Sequence, residues 1–335
     1  MVESLLLNET ELQLNGSSVS IANKMQLLLQ QQFATWELLN KNYTDLDTVK
    51  IKTFNFEKFK INVQFNPSRI TSSAAKVDSA SIKARKSFLH YNNLPESQKG
   101  ILYKEDYLIL CNPYPIFNQH FTIPIIEQTP QTIIGKFGDF LHLTKDISEK
   151  FVVFYNGPKC GASAPDHMHF QAGNKNFMPL DYEYDTVIKH YGKVEFSAKD
   201  ISVYSVDNYL RRFISIQSTD INTAEKYFYQ IINKINKTEP TEIEPMLNII
   251  GYYRKDEWVI VIFPRQKHRP TYYFEEGENN ILLSPASVDM GGVFITPLEK
   301  DFDKITKEQI IDIFDQVTIN KTAFSNICSE INKFD

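Results

Sequence analysis

The chain has 335 residues, of which 42% are hydrophobic and 23% are charged, and its net charge is −5. This composition is typical of a globular protein with about two domains or one duplicated domain, and its weak negative charge argues against nucleic acid or an anionic membrane as partner. The three widely spaced cysteines, the missing signal-peptide pattern and the lack of a ~20-residue apolar run together predict a cytoplasmic protein.

The N-terminal part of the chain predicts a helix and then a strand. The helix covers residues 20–40, with Ser20 as its N-cap, and the strand covers residues 49–65. Residues 66–90 form a long, serine-rich and irregular segment that carries Arg69 and further cations. This segment is either a solvated surface loop or a site for phosphate or ribose, and the two interpretations carry equal weight.

The middle of the chain predicts two strands at 107–111 and 120–126, joined by a proline-rich turn, and a helix at 131–148. A strand–loop–strand unit follows at 151–173.

The second half of the chain repeats this order of elements. Its predicted strand, helix and two further strands lie at 213–217, 223–235, 246–253 and 258–264. A helix followed by a β-hairpin therefore occurs twice, at 131–173 and at 223–264, which indicates a weak internal duplication. The chain ends in a predicted helix at 306–331.

The sequence His-Met-His-Phe-Gln at 167–171 is the most specific pattern in the chain. Because side chains alternate between the faces of a strand, His167, His169 and Gln171 would share one face. Such a face could hold a metal ion, could supply a neutral imidazole that attacks phosphorus, or could be purely structural. An attacking histidine needs one free ring nitrogen, and its other nitrogen must donate to a backbone carbonyl.

The loop before this motif contains groups that suit a phosphate. These groups are the backbone amides from Gly157 to Ser163, the Lys159 ammonium and the Ser163 hydroxyl. Because glycine has no Cβ atom, the backbone at Gly161 can approach an anion closely.

Three other places are open to two interpretations. His120 is either a structural hydrogen-bonding residue or part of the site. Arg265, Lys267, His268 and Arg269 form either a solvated turn or a clamp for an acceptor phosphate. Asp289, close to two glycines, is interpreted as part of a tight turn.

These residues carry a resemblance to a known family. The His-x-His-x-Gln motif at 167–171 resembles that of the galactose-1-phosphate uridylyltransferase branch of the histidine-triad superfamily. The segment NGPKCGASAPDH before it resembles diadenosine tetraphosphate phosphorylases, and its HFQ ending resembles GDP-L-galactose phosphorylases. CNPYPIFNQHFTIP at 111–124 is similar to the strands that receive base and ribose in these enzymes. Residues 66–89 and 284–292 resemble bacterial members of the group.

The resemblance implies an α+β fold of two histidine-triad-like halves, each an antiparallel sheet with packed helices. The expected division is an extension at 1–60, a catalytic half at 61–200 and a second half with a C-terminal helix at 201–335.

The resemblance also implies roles for single residues. His169 would be the nucleophile, Gln171 would bind the phosphoryl group, and His167 would orient the site or hold a structural metal. The residues expected to bind phosphate or nucleotide are Asn156, Gly157, Lys159, Gly161, Ser163, Arg69, His120, Arg265 and Lys267.

Relatives in this branch often carry a zinc-binding Cys-x-x-Cys, but the matching place here reads Ser87-Phe88-Leu89-His90. Serine is a poor zinc ligand, so we expect neither a metal nor another cofactor.

The expected activity is therefore nucleotidyl transfer or phosphorolysis through a nucleotidyl-histidine. The donor would be a nucleoside diphosphate-sugar or a dinucleoside polyphosphate, and the acceptor would be inorganic phosphate or a sugar phosphate. A homodimer stays open. The alternatives are a non-catalytic nucleotide-binding protein and a metal-dependent phosphohydrolase. Attack requires neutral histidine, so activity would fall as the pH drops through its pKa, near ~6.5 if unperturbed.

Overall fold

The computed structural model describes residues 2–8, 10–12, 19–75, 77–238 and 244–334. No helix in these ranges is long and apolar enough to cross a lipid bilayer. The strands are, in chain order, β1 Lys50–Asn55, β2 Lys60–Phe65, β3 Gly100–Tyr103, β4 Tyr107–Cys111, β5 His120–Pro124, β6 Phe151–Asn156, β7 His169–Asn174, β8 Gly192–Ala198, β9 Ile201–Val206, β10 Phe213–Ser218, β11 Leu247–Arg254, β12 Glu257–Pro264 and β13 Val293–Thr296.

The helices pack on both faces of the sheets. They are, in chain order, α1 Ile21–Thr35, α2 Glu37–Thr44, α3 Ile70–Ser73, α4 Ser79–Lys83, α5 Phe137–Asp146, α6 Pro179–Tyr191, α7 Ile221–Thr238, α8 Ser287–Met290, α9 Glu299–Lys304, α10 Lys307–Val317 and α11 Lys321–Ile331.

A ten-stranded antiparallel sheet forms the centre of the molecule. Its strand order is β3-β4-β5-β7-β6-β11-β12-β10-β9-β8. The order consists of two five-stranded halves that mirror each other about the central pair β6 and β11. Each half runs through three meandering strands, one helix (α5 or α7) and a final strand pair, so the predicted duplication and the α+β class are confirmed.

The two halves differ in how their last two strands are connected. In the second half, β11 turns into β12 through Lys255 and Asp256, whose φ angles of 52° and 61° are typical of a tight two-residue hairpin. In the first half, residues 157–168 separate β6 from β7. The long connection is therefore an elaboration of one half only.

Each face of the large sheet has its own hydrophobic core. One face packs against α1, α2, α5, α7 and α11, while the other packs against α6, α8, α10 and a small second sheet. The small sheet has the order β1-β2-β13, with β13 parallel to β2. The boundary predicted at residue 60 therefore falls inside the β1–β2 hairpin, and a strand from the far end of the chain completes that sheet.

Several elements differ from their predicted forms. The helix at 20–40 is two helices, because Trp36 adopts an extended conformation between them, although Ser20 caps the first as predicted. The strand at 49–65 is a hairpin, and the C-terminal helix is also divided in two, since Thr318–Asn320 interrupt it. Residues 66–90 contain two short helices and line a cavity.

Candidate active site

Strand β7 presents two of the predicted residues to a cavity of about 560 Å³. His169 and Gln171 line this cavity, whereas Met168 and Phe170 pack in the core behind the sheet. This arrangement follows from the alternation of side chains along a strand. The cavity lies on the face of the sheet that also carries the small sheet and α8.

His169 is held with one ring nitrogen occupied and the other free. Its Nδ1–H donates to the backbone carbonyl of His167 at 2.8 Å, which leaves Nε2 as the unprotonated nitrogen. Its backbone N–H donates to Oε1 of the buried Gln131 at 2.8 Å. Burial lowers the pKa of His169 to about 4, so the imidazole is neutral at pH 7. The side chain therefore has the form that a nucleophile requires.

Gln131 is a positioning residue that the sequence did not reveal. Its Nε2 donates to the carbonyls of Asn156 at 2.9 Å and His169 at 3.1 Å. It thus joins the end of β6 to the start of β7 at the point where the connecting loop leaves and returns. The residue stands at the first position of a predicted helix, and no sequence signal distinguished it there.

His120 orients Gln171. The N–H of Ile116 donates to His120 Nδ1 at 3.2 Å, so the imidazole carries its proton on Nε2 and donates it to Gln171 Oε1 at 3.0 Å. Burial and, to a lesser extent, the nearby Arg69 together lower the pKa of His120 to about 3. With its oxygen occupied, Gln171 keeps its amide hydrogens for a ligand in the cavity. His120 itself does not line the cavity, and its place is behind Gln171.

His167 lies outside the cavity, and the prediction that it shares a face with His169 and Gln171 is corrected. The strand begins only at His169, so the alternation does not extend back to His167. The His167 Nε2–H donates to the carbonyl of Ile125 at 2.6 Å, and Nδ1 accepts from the Ser87 hydroxyl at 3.0 Å. The ring therefore fixes the backbone whose carbonyl holds His169.

These contacts do not fit a structural zinc ion. Both ring nitrogens of His167 are already in hydrogen bonds, and Ser87 fills the position where a cysteine would ligate. The His90 Nδ1 accepts from the N–H of Asn92 at 3.2 Å. Across the described ranges, no group of three or more His, Cys, Asp or Glu side chains is arranged to hold a metal.

The loop at 157–168 contributes backbone donors, but from a shorter part than predicted. The N–H of Gly157 is used by the carbonyl of Leu247, and Lys159 is exposed and does not line the cavity. In contrast, Gly161, Ala162 and Ser163 line the cavity, and their N–H groups donate to no other described residue. These three amides are therefore the N–H donors of the loop that are available to an anion in the cavity.

Gly161 is required at its position for two reasons. Its φ of +90° is a conformation that other residues rarely adopt. A Cβ atom at Gly161 would also lie 2.4 Å from the Cβ of Ala286, which belongs to the segment 284–292. The loop and this segment of the second half are therefore in direct contact.

Two arginines of the first half line the cavity with unused N–H groups. Arg69 donates through Nη1 to the carbonyl of Tyr114 at 2.6 Å, and Arg85 donates through Nη2 to the Ser163 carbonyl at 2.9 Å and to Asp166 at 3.0 Å. The Nε atoms of both arginines are buried and have no partner among the described residues. Burial lowers the pKa of Arg69 to about 10, which still leaves it charged at pH 7.

The predicted clamp at 265–269 is corrected for two of its members. Arg265 is only 2% exposed and donates to five acceptors, so it has no N–H left for a ligand. Lys267 is exposed and does not line the cavity. His268 and Arg269 do line it, together with Asp289, which the sequence had placed in a simple turn. Asp289 also accepts from Ala286 and Ile295, which fixes the segment after Ser284.

Asn156 connects the cavity to a buried polar network between the halves. Its Oδ1 accepts from Asn248 Nδ2 at 2.9 Å and from the N–H of Ser287 at 2.8 Å. Asn248 in turn accepts from Arg265, so the buried arginine supports the cavity indirectly. The side-chain Nδ2 of Asn156 has no acceptor in the described ranges, and the residue lines the cavity.

The first half also lines the cavity with apolar side chains. They include Trp36, Phe88, Leu94, Pro95 and Leu110. A cavity lined both by apolar side chains and by arginines and free amides suits a ligand that combines an aromatic base with phosphate.

Two family models match the chain. Residues 28–174 match a domain of unknown function, DUF4922, and residues 185–334 match the GDPGP1-like, C-terminal domain. A search of curated proteins found no match.

Among solved structures, the yeast Ap4A phosphorylase Apa2 has a TM-score of 0.55 at 14% sequence identity, and the match covers 84% of this chain and 94% of that chain. The same yeast enzyme in complex with AMP gives a TM-score of 0.54 at 15% identity, covering 86% and 95% of the two chains. Its complex with Ap4A gives 0.52 at 14% identity, covering 85% and 97%. At this identity the likeness establishes the fold.

Proposed function

We propose that the chain is a nucleotidyltransferase or phosphorylase of the galactose-1-phosphate uridylyltransferase branch of the histidine-triad superfamily, an interpretation that its two matching family models and its fold support. Its donor would be a nucleoside diphosphate-sugar or a dinucleoside polyphosphate. The observation that carries this proposal is the state of His169, whose Nδ1 is tied to a carbonyl and whose neutral Nε2 is free at a cavity lined with cations and free amides.

The proposed first step is attack by His169 on the α-phosphorus of the donor. A bond forms between Nε2 and phosphorus, and the bond from phosphorus to the bridging oxygen breaks, so that the remainder leaves as a phosphate. In the second step an oxygen of the acceptor phosphate attacks the same phosphorus, and the P–N bond breaks. His169 returns to its neutral form with its Nδ1 proton in place.

The surrounding donors suit the charge that develops during this transfer. The Gln171 amide hydrogens and the N–H groups of Gly161 and Ser163 can bind the non-bridging oxygens of the transferred phosphoryl group. Arg69 and Arg85 supply positive charge beside them. Because these groups are held by protein contacts before any ligand binds, little reorganisation is needed in the transition state.

The solved relatives support the same class of ligand. The yeast Ap4A phosphorylase Apa2 has been determined in complex with AMP and with Ap4A. The apolar and the cationic side chains that line this cavity are consistent with a nucleotide of that general kind. They do not select the base.

Covalent labelling tests the proposal directly. The protein is incubated with ADP-, GDP- and UDP-sugars and with dinucleoside polyphosphates labelled at the α-phosphorus, and acid-labile label on the protein is measured. We expect label from at least one donor, no label on His169→Ala, and normal label on His142→Ala, whose histidine is exposed.

Two outcomes would overturn the proposal. If wild type binds several donors in a thermal-shift assay but takes no label from any of them, the protein is a nucleotide-binding module. If turnover survives in His169→Ala but disappears with a chelator, it is a metal-dependent hydrolase.

A further inference from the structure

Arg269 lines the cavity from the second half of the molecule, although the nucleophile belongs to the first half. It follows β12, while His169 opens β7. The sequence could not separate Arg269 from the other cations of the 265–269 cluster. The structure separates them clearly, since Arg265 is saturated with protein acceptors and Lys267 points elsewhere.

Arg269 is held rigidly by three neighbours. Its Nε donates to the Ser284 hydroxyl at 3.0 Å, and its Nη2 donates to the carbonyl of Ala75 at 3.0 Å. The guanidinium also stacks on Tyr273, with its carbon 4.0 Å from the ring centroid. The chain segment with Ala75 belongs to the first half, so Arg269 bridges the two halves at the cavity.

One end of the guanidinium stays unused by the protein. Among the described residues, the Nη1 group of Arg269 has no acceptor and no carboxylate pairs with the side chain. Asp289 is the acidic residue among the described residues that line the cavity, and it accepts from the N–H groups of Ala286 and Ile295. A preorganised guanidinium with free donors and no counter-ion is suited to a phosphate.

We propose that Arg269 forms a phosphate subsite on the departing side of the reaction. This inference rests on the proposed function. In the first step the subsite binds the phosphate of the leaving group that adjoins the bond being broken. In the second step it binds the acceptor phosphate that attacks the nucleotidyl-histidine.

One subsite serves both steps because of the geometry of displacement at phosphorus. The leaving oxygen departs opposite the attacking nitrogen, and in the second step the attacking oxygen must approach along the same line. The leaving phosphate and the incoming phosphate therefore occupy the same place. Arg69 and Arg85, which come from the same half as the nucleophile, are assigned in this proposal to the transferred group.

The experiment compares two donors that differ only in their leaving group. One is the donor that labels the wild type in the panel described above, and its leaving group is a phosphate. The other is the matching nucleoside 5′-phosphorimidazolide, whose leaving group is imidazole and which carries no phosphate on the departing side. Single-turnover labelling of His169 is measured with both donors, and the KM for inorganic phosphate is measured in the full reaction.

We expect Arg269→Gln to raise the phosphate KM by about tenfold or more and to slow labelling by the donor with the phosphate leaving group, because a charged hydrogen-bonding partner is lost. Labelling by the phosphorimidazolide should stay at the wild-type rate. The phosphate KM and the labelling rate of Arg269→Lys should lie between those of Arg269→Gln and the wild type, since lysine keeps the charge but loses the forked pair of N–H donors. Lys267→Gln is the matched control and should behave as wild type.

Three results are informative against this inference. An unchanged phosphate KM in Arg269→Gln overturns it. Equal slowing with both donors also overturns it, because Arg269 would then act on the transferred group or on the fold. If the wild type takes no label from either donor, the proposed function itself is wrong, and the two failures are thereby distinguished.

Discussion

The Nε2–H of His120 donates to Oε1 of Gln171 across 3.0 Å, on adjacent strands β5 and β7. The two residues are diagonal neighbours, since His120 lies opposite Gly173 and Gln171 lies opposite Thr122. A glutamine side chain can present either its oxygen or its nitrogen to a ligand, and this bond selects the nitrogen. His120 thereby decides which side-chain atom Gln171 offers to a ligand in the cavity.

Replacing His120 by alanine should slow labelling of His169 by about 10- to 100-fold, as is usual when a supporting hydrogen bond to a functional side chain is removed. The test is a double-mutant cycle with Gln171→Ala, measured by rapid quench. If His120 acts through Gln171, the double variant is no slower than Gln171→Ala alone. Effects that multiply would contradict this role, and His142→Ala serves as the control.

The pH dependence of labelling should have its acid limb near pH 4. Burial lowers the pKa of His169 to about 4, and only the neutral imidazole attacks, so the rate stays level from pH 7 to about pH 5 and falls below the pKa. The sequence alone suggested a limb near 6.5. The pH profile of the labelling rate is measured by rapid quench shortly after the pH is changed, with a nucleoside diphosphate-sugar, whose phosphates are diesters, as donor. A limb at 6.5 would show that His169 is not buried as described.

Ser87→Ala should weaken both the fold and the site. The variant leaves Nδ1 of the buried His167 without its donor, at a cost of about 1–3 kcal/mol in the free energy of unfolding. Because the His167 carbonyl holds His169, labelling should also slow. Denaturant unfolding and single-turnover rates are the measurements. Ser87→Thr should restore both, whereas a His90→Ala variant as impaired as Ser87→Ala would argue for a shared role of the two residues.

Gly161→Ala should weaken donor binding more than Gly277→Ala does. Both glycines have positive φ, 90° and 62°, so both variants carry backbone strain of about 1–3 kcal/mol. Only at Gly161 would the new methyl group meet Ala286, whereas the space at Gly277 is open. We expect Gly161→Ala to lose donor binding in calorimetry, with Gly277→Ala near wild type. Equal binding by both variants would show that the loop amides are not used.

Local patterns predicted the central strands and the duplicated order of elements, because alternation and helical spacing are encoded in neighbouring residues. They also identified His169, Gln171 and Asn156 as residues that the structure places at one cavity. The point at which a pattern begins or ends was harder to predict where no cap or turn residue marks it. The alternation from His167 to Gln171 looked continuous, but β7 begins at His169, so His167 turned away.

Long-range relationships were beyond the sequence for a different reason. The pairing of His120 with Gln171 depends on the register of two strands separated by 45 or more residues, and register leaves no local trace. The choice among Arg265, Lys267 and Arg269 depends on an irregular segment with no period, in which one cation is buried, one is exposed and one reaches the cavity. Gln131 was missed because a single buried amide has no signature.

The tight turn at Lys255 and Asp256 has a bearing on how such a protein can diversify. The β6–β7 connection and the β11–β12 turn lie at opposite ends of the strands, because β6 and β11 run antiparallel at the centre of the sheet. One connection is long and lines the cavity, while the other has the shortest form that a hairpin allows. The scaffold thus holds a second strand junction of the same architecture, far from the first, where a longer loop could be grafted without disturbing the cavity.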